Sequence, residues 1–242
     1  MKTLLWTGIV MVAASASALA FDDKEDVKAA AKKLSDAPNY SWTTTIKNNA
    51  ENPGPAGRAM GPIEGKTEKD GVTWYSMKQG EGTFEAVMKG EKFAMKVKDA
   101  WMGAGDVPGA GQQGRPDPSM FAARMMKTMK PVSQNVGEAI DKLKELKSEG
   151  DGVYSGEFTP EGAKEQLAPN RGGGNAPTLA DAKGSIKIWI KDGLLVKVES
   201  TMQGKMTVGQ REIEINRTAT TEIKDVGTTK IELPDEAKKK LE

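Results

Sequence analysis

The chain has 242 residues, 35 of them basic and 34 acidic, with neither histidine nor cysteine. Those absences exclude imidazole and thiolate metal sites, His-dependent nucleophilic pairs and disulfides, and they leave carboxylates, hydroxyls and lysines for any chemistry. A formal net charge of +1 without a strongly basic segment also argues against a nucleic-acid partner, whose phosphates need clustered Lys and Arg.

The first twenty residues have the layout of a secretory signal. Lys2 gives the positive start, Leu4 to Val12 the apolar run, and Ala18-Leu19-Ala20 the small-residue cleavage pattern. The apolar run is shorter than the roughly 20 residues that a bilayer span needs. Residues 1–20 are therefore expected to be a signal peptide cleaved after Ala20, leaving a periplasmic or secreted chain, 21–242, with no transmembrane segment. Asp22 to Asp36 predicts a helix, with acids in its first turns, Lys32 and Lys33 in its last, and Val27, Ala30, Ala31 and Leu34 as its apolar stripe. Pro38 ends it.

From Tyr40 the hydrophobic period drops to two, as in half-buried strands. Trp42, Thr44 and Ile46 share one face of the first run. Beyond a Pro/Gly loop (Asn52 to Pro62), Ile63 to Thr67 and Val72 to Met77 flank the turn signal Lys69-Asp70-Gly71. Thr83 to Lys89 and Lys92 to Lys98 follow, and in the latter Phe93, Met95 and Val97 alternate with lysines and Ala94. A lysine-studded face opposite an apolar one predicts a sheet covered on one side only.

Ala100 to Pro118 holds eight Gly and Pro residues and predicts a flexible loop. Within it Gly109 to Gly114 spells G-x-G-x-x-G, but the surroundings lack the strand and helix that a dinucleotide site requires. Two helices are expected next, Ser119 to Lys130, rich in methionine (Met120, Met125, Met126, Met129) and containing Phe121, and Val136 to Lys147, with Val136, Ile140 and Leu143 on one face. Methionines are adaptable packers, so this stretch is read as a soft cover over an apolar ligand.

Strands resume at Gly152 to Thr159, followed by a short helix from Pro160 to Leu167 and a loop from Pro169 to Asp181. The strongest hairpin signal has Ile186, Ile188 and Ile190, the turn Asp192-Gly193, and Leu194, Val196 and Val198. Arg211 to Ile223 and Thr228 to Leu233 are further expected strands, and Asp235 to Leu241 a C-terminal helix. Acidic clusters sit at predicted helix ends and turns, and none stands out as the converging pair that a carboxylate-based hydrolase would need. The predicted class is α+β: a curved, unclosed antiparallel half-barrel with a helical lid inserted mid-chain and short terminal helices.

The leading helix, the meander, the mid-chain helical insertion, and the closing segment Val226 to Ala237 with the Lys187 to Met202 hairpin together resemble the LolA-like periplasmic lipoprotein carriers and the related mycobacterial lipid-binding lipoproteins of the LppX/LprG group. The resemblance implies one domain over 21–242, with 99–150 as loop and lid, helices plugging the mouth of an unclosed barrel, and a hydrophobic cavity for acyl chains. Trp42, Trp74, Phe93, Met95, Val97, Met120, Phe121, Met125, Met129, Ile140, Ile188 and Val196 are the candidate cavity and lid residues. The expected partner is the acyl chain of a lipid or lipoprotein. No cofactor, metal or catalytic residue is expected. The alternative is an envelope protein-interaction or sensor module whose core is filled by its own side chains.

Overall fold

The computed structural model describes residues 23–50, 61–79, 82–107, 123, 126–167, 178–208 and 211–242. The expected signal peptide, the Gly109 to Gly114 run, and Met120, Phe121 and Met125 lie outside them. Eleven strands form a single antiparallel sheet: β1 (Asn39–Asn48), β2 (Ile63–Glu68), β3 (Thr73–Gln79), β4 (Gly82–Lys89), β5 (Lys92–Val97), β6 (Ala100–Gly103), β7 (Leu143–Gly150), β8 (Val153–Phe158), β9 (Thr178–Lys191), β10 (Leu194–Val208) and β11 (Arg211–Lys224). Four α-helices, α1 (Asp23–Asp36), α2 (Val132–Asp141), α3 (Pro160–Leu167) and α4 (Asp235–Leu241), and a 3-10 turn at Ala104–Asp106 accompany them among the described elements.

The strand order is β6-β5-β4-β3-β2-β1-β11-β10-β9-β8-β7. Two meanders, β1–β6 and β7–β11, are thus joined where β1 pairs with β11, in a register that sets Trp42 opposite Ile223 and Thr44 opposite Thr221. Side chains of β5 (Phe93, Met95) and of the far edge β7 (Leu143, Leu146) belong to one core cluster. Strands so distant in the sheet share a core because the sheet curls, while its edges β6 and β7 stay unpaired. The architecture is the open α+β half-barrel expected from the strand periodicity.

Helices fill the concave side. The α1 stripe Val27, Ala30, Ala31 and Leu34 is buried against α2 and the β7–β10 end of the sheet, and the α2 residues Val132, Val136, Ala139 and Ile140 are buried in the same cluster. β6 and β7 are consecutive strands in sequence yet occupy opposite edges of the sheet, and α2 belongs to the segment between them.

Several boundaries differ from the sequence expectation, each for a physical reason. Lys142 ends α2, and Leu143 to Gly150 is a strand, not the second half of a helix. The spacing of three between buried Leu143 and Leu146 mimics a helical stripe, but it arises from a register shift in β7 between Leu143 and Glu145, where an extra residue lets both leucines face the core. Ala100–Gly103, assigned above to the loop, forms β6 on β5, with Met102 opposite Met95. Thr228 to Leu233 is not a strand: the chain leaves the sheet at Asp225 (φ +51°), where Thr229 donates its backbone N–H and its hydroxyl to the Asp225 carbonyl.

The one-sided covering is also corrected. Val72, Val87 and Leu241, with half-buried Trp74, Trp101, Ile231 and Leu233, form a second cluster on the convex side of β3–β6. Segment 228–234 and α4 lie over this end of the sheet, so its β3–β6 part is covered on both faces.

Candidate functional site

The concave face is apolar where the two meanders meet. Trp42 on β1 is 6% exposed and packs edge-on against Tyr75 of β3, with ring centroids 5.6 Å apart at 72°. The indole lies directly over Gly65 of β2, its cross-strand partner, where a Cβ would fall inside the ring. Thr67 Oγ1 accepts a long hydrogen bond from Trp42 Nε1 (3.4 Å) and another from the buried Thr73 hydroxyl (3.3 Å). Tyr75 points its hydroxyl at Met88 Sδ, 3.0 Å away. Burial pushes the phenols of Tyr40 and Tyr75 well above the ordinary tyrosine range, so both stay neutral at physiological pH and this floor carries no charge.

Between this face and α2 lies a cavity of about 260 Å³. Trp42, Ile63, Tyr75, Phe158, Ile186 and Val198 form its sheet side, Val132, Val136 and Ala139 its helix side, and Thr44, Thr221 and Ser200 a small hydroxyl strip across β1, β11 and β10. Thr44 and Thr221 satisfy each other at 2.7 Å. Lys130, Asn135 and Gln166 supply the polar part of the lining. Lys130 donates to both carboxylate oxygens of Glu138 at 2.5 and 2.7 Å, and Gln134 adds a further hydrogen bond at 3.0 Å. The lysine hydrogen bond holds the Glu138 carboxyl below its ordinary range. The Lys130 cation is therefore already paired with a carboxylate of α2. Among the described residues no Asp or Glu lines the cavity, so they offer no carboxylate pair for two-carboxylate hydrolysis there. Among the described residues no group of three or more His, Cys, Asp or Glu is arranged to hold a metal ion.

Of the candidate residues, Trp42 and Met129 line the cavity. Phe93, Met95, Ile140 and Ile188 are buried in the surrounding core, and Val97 packs against its edge. Two are displaced from the expected face. Trp74 sits on the convex side beside Trp101, because in β3 it is the neighbouring Tyr75 that points inward. Val196 is the extra residue of a bulge between Leu195 and Lys197, which hands the inward positions to Leu195 and Val198. The cavity residues not singled out in advance, among them Ala139 of α2, Phe158 of β8 and Ser200 of β10, come from elements separated in sequence. Val136 was legible as part of the α2 stripe, whereas Phe158 is a single inward residue at the end of β8.

The fold and the cavity together define a class: an open antiparallel half-barrel with an apolar hollow between its concave sheet and the helices of its mouth. No family model and no curated protein matches the chain. Among solved structures it is similar to LprF from Mycobacterium bovis, at 12% identity over 89% of this chain and 97% of that one, with a TM-score of 0.46. It is also similar to the Mycobacterium tuberculosis lipoprotein LppX, at 10% identity over 86% and 97%, with a TM-score of 0.48. Likeness of this degree assigns no function.

Proposed function

We propose that this chain is an exported, non-enzymatic binding protein that holds an acyl chain or a similar apolar ligand between the concave sheet face and α2. The observation that carries the proposal is the apolar cavity walled by Trp42, Tyr75, Ile186 and Val198 on one side and Val132, Val136 and Ala139 on the other. At about 260 Å³ it lies just under the range of roughly 300–1,000 Å³ typical of ligand pockets. It therefore suits one stretch of a single chain, with the remainder lying along the mouth. Sheltering about eight methylenes from water is worth on the order of 6 kcal/mol, which offsets the low end of the association cost, about 4 kcal/mol, without any charged contact. The neutralised Lys130 fits a ligand whose buried portion is uncharged. The signal-like segment 1–20 supports a periplasmic or secreted location, with cleavage after Ala20. Organic extraction of the purified protein, together with titration of a fluorescent fatty acid, tests the reading. Co-purified lipid and saturable uptake are expected; absence of both overturns it.

A second reading is favoured by a different observation. At the β4–β5 end of the concave face, Phe93, Met95 and Met126 are 2%, 0% and 1% exposed, so the protein fills that part of the hollow itself. An envelope protein-interaction or sensor module with a self-filled core fits that packing. Cross-linking that captures one dominant protein partner, with no fatty-acid uptake, would select it.

A further inference from the structure

The convex side of the N-terminal meander carries a trough of about 600 Å³, separate from the concave cavity. Its floor is made by outward residues of four strands of this meander: Lys66 of β2, Trp74 of β3, Glu85 of β4 and Trp101 of β6. Its wall is the extended segment 228–234, which contributes Lys230, Ile231 and Glu232. Both indoles are half-buried and packed against the second apolar cluster, so they are held in place and are not free surface rings. Trp74 and Trp101 lie three strands apart, about 14 Å at the usual inter-strand spacing. Between them Glu85 pairs with Lys96 of β5 at 3.6 Å, with both side chains about one-third exposed. Lys66 Nζ lies over the Trp74 ring, 5.6 Å from its centre, on a flexible side chain that a ligand stacking there would have to displace.

We propose that this trough binds a neutral oligosaccharide. A pyranose presents an apolar C–H face, which an indole covers, and a rim of hydroxyls, which both donate and accept hydrogen bonds. The trough offers matching surfaces: a ring at each end, and between and beside them carboxylates and ammonium groups in near balance. An anionic or cationic polymer would meet opposing charge along such a floor. A proline-rich peptide needs neighbouring aromatic rings forming a continuous groove, whereas here an ion pair separates the rings. Tryptophan suits the role because its large apolar body carries one N–H donor. The length of the floor suits a few linked sugars, not a monosaccharide. None of this depends on the concave cavity or on what it holds.

The test is calorimetric titration of the purified protein with cellotetraose, chitotetraose and maltotetraose, in wild type and in Trp74→Ala, Trp101→Ala, Glu85→Gln and Trp189→Ala. Trp189 is on the convex face of β9, with Lys197 Nζ 4.3 Å from its ring centre, and lines neither cavity. Saturable binding of at least one tetrasaccharide is expected, weakened about tenfold or more by each of the first three substitutions, as for a buried aromatic or charged anchor, and unchanged by the fourth. Glu85→Gln keeps both rings and the sheet packing, so it remains informative if a tryptophan variant fails to fold. Saturating fatty acid is expected to leave sugar binding unchanged. No binding of any of the three, binding indifferent to Trp74, Trp101 and Glu85, or binding of a polyproline peptide in their place would overturn the proposal.

Discussion

Trp42 shows how one residue couples stability to the hollow. Its ring roofs Gly65, meets Tyr75 edge-on and forms part of the cavity wall. A glycine is required at 65 because any side chain there would occupy the space of the indole. Gly65→Val should expel the ring, lower stability by about 1–3 kcal/mol through overpacking, and weaken fatty-acid uptake; denaturant melts and a fluorescence titration measure the two effects. The buried phenols give a pH signature. Tyr40 and Tyr75 have raised folded-state values, so the folded chain keeps their protons at a pH where the unfolded chain loses them. Their contribution is fully present below about pH 10, the ordinary tyrosine value, and is lost as pH rises toward the raised values. Urea melts of wild type and Tyr75→Phe between pH 8 and about 11 should show the wild type losing more stability with rising pH. Glu138 behaves oppositely. Its lowered value means that the Lys130 pair contributes above the ordinary carboxylate range and is lost as pH falls through the folded-state value. At a half-exposed site that contribution is under about 1 kcal/mol.

At the scale of elements, bulges decide both what holds the site and what could be read in advance. Alternation located the inward faces of β1 and β5 directly: Trp42, Phe93 and Met95 are where the period of two puts them. It failed at Val196 and over Leu143 to Lys147, because one inserted residue flips every later side chain of a strand. It failed at Trp74 because two adjacent aromatics, Trp74 and Tyr75, carry no alternation to show which one points inward. The β9–β10 hairpin was legible down to its turn. Asp192 and Gly193 both have positive φ (+54° and +72°), as a type I′ turn demands. Lys33 of α1 donates to the Asp192 carbonyl at 2.8 Å, tying helix to hairpin. Gly193→Ala should cost about 1–2 kcal/mol, the usual penalty for an L-residue held left-handed, and lower the melting midpoint by several degrees in a thermal scan.

At the scale of the molecule the decisive feature is the β1–β11 seam. Period-two runs in hairpin order foretold an antiparallel sheet, but nothing local to either run says that the last strand returns to the first and places the two meanders edge to edge. Pairing of residues such as Trp42 and Ile223, so distant in sequence, has a high loop-closure cost, and folding on the slow side of the millisecond-to-second range follows. Removal of residues 209–242 takes away the strand that both meanders share, so loss of the whole cooperative transition is expected in circular dichroism, not loss of one edge. The same seam sets Trp42, Thr221 and Val198 side by side facing α2, which is why the cavity had to be read from the folded chain.

The hollow itself is tested most directly by placing a ligand beside Trp42. In a variant of residues 21–242 keeping Trp42 as its sole indole (Trp74→Phe, Trp101→Phe, Trp189→Phe), a fatty acid brominated along its chain should quench the fluorescence saturably. Ala139→Phe, which fills the cavity from the α2 side, should abolish that quenching while the protein stays folded. Quenching that is absent, or that persists unchanged in the filled variant, would contradict an apolar ligand held between the sheet and α2.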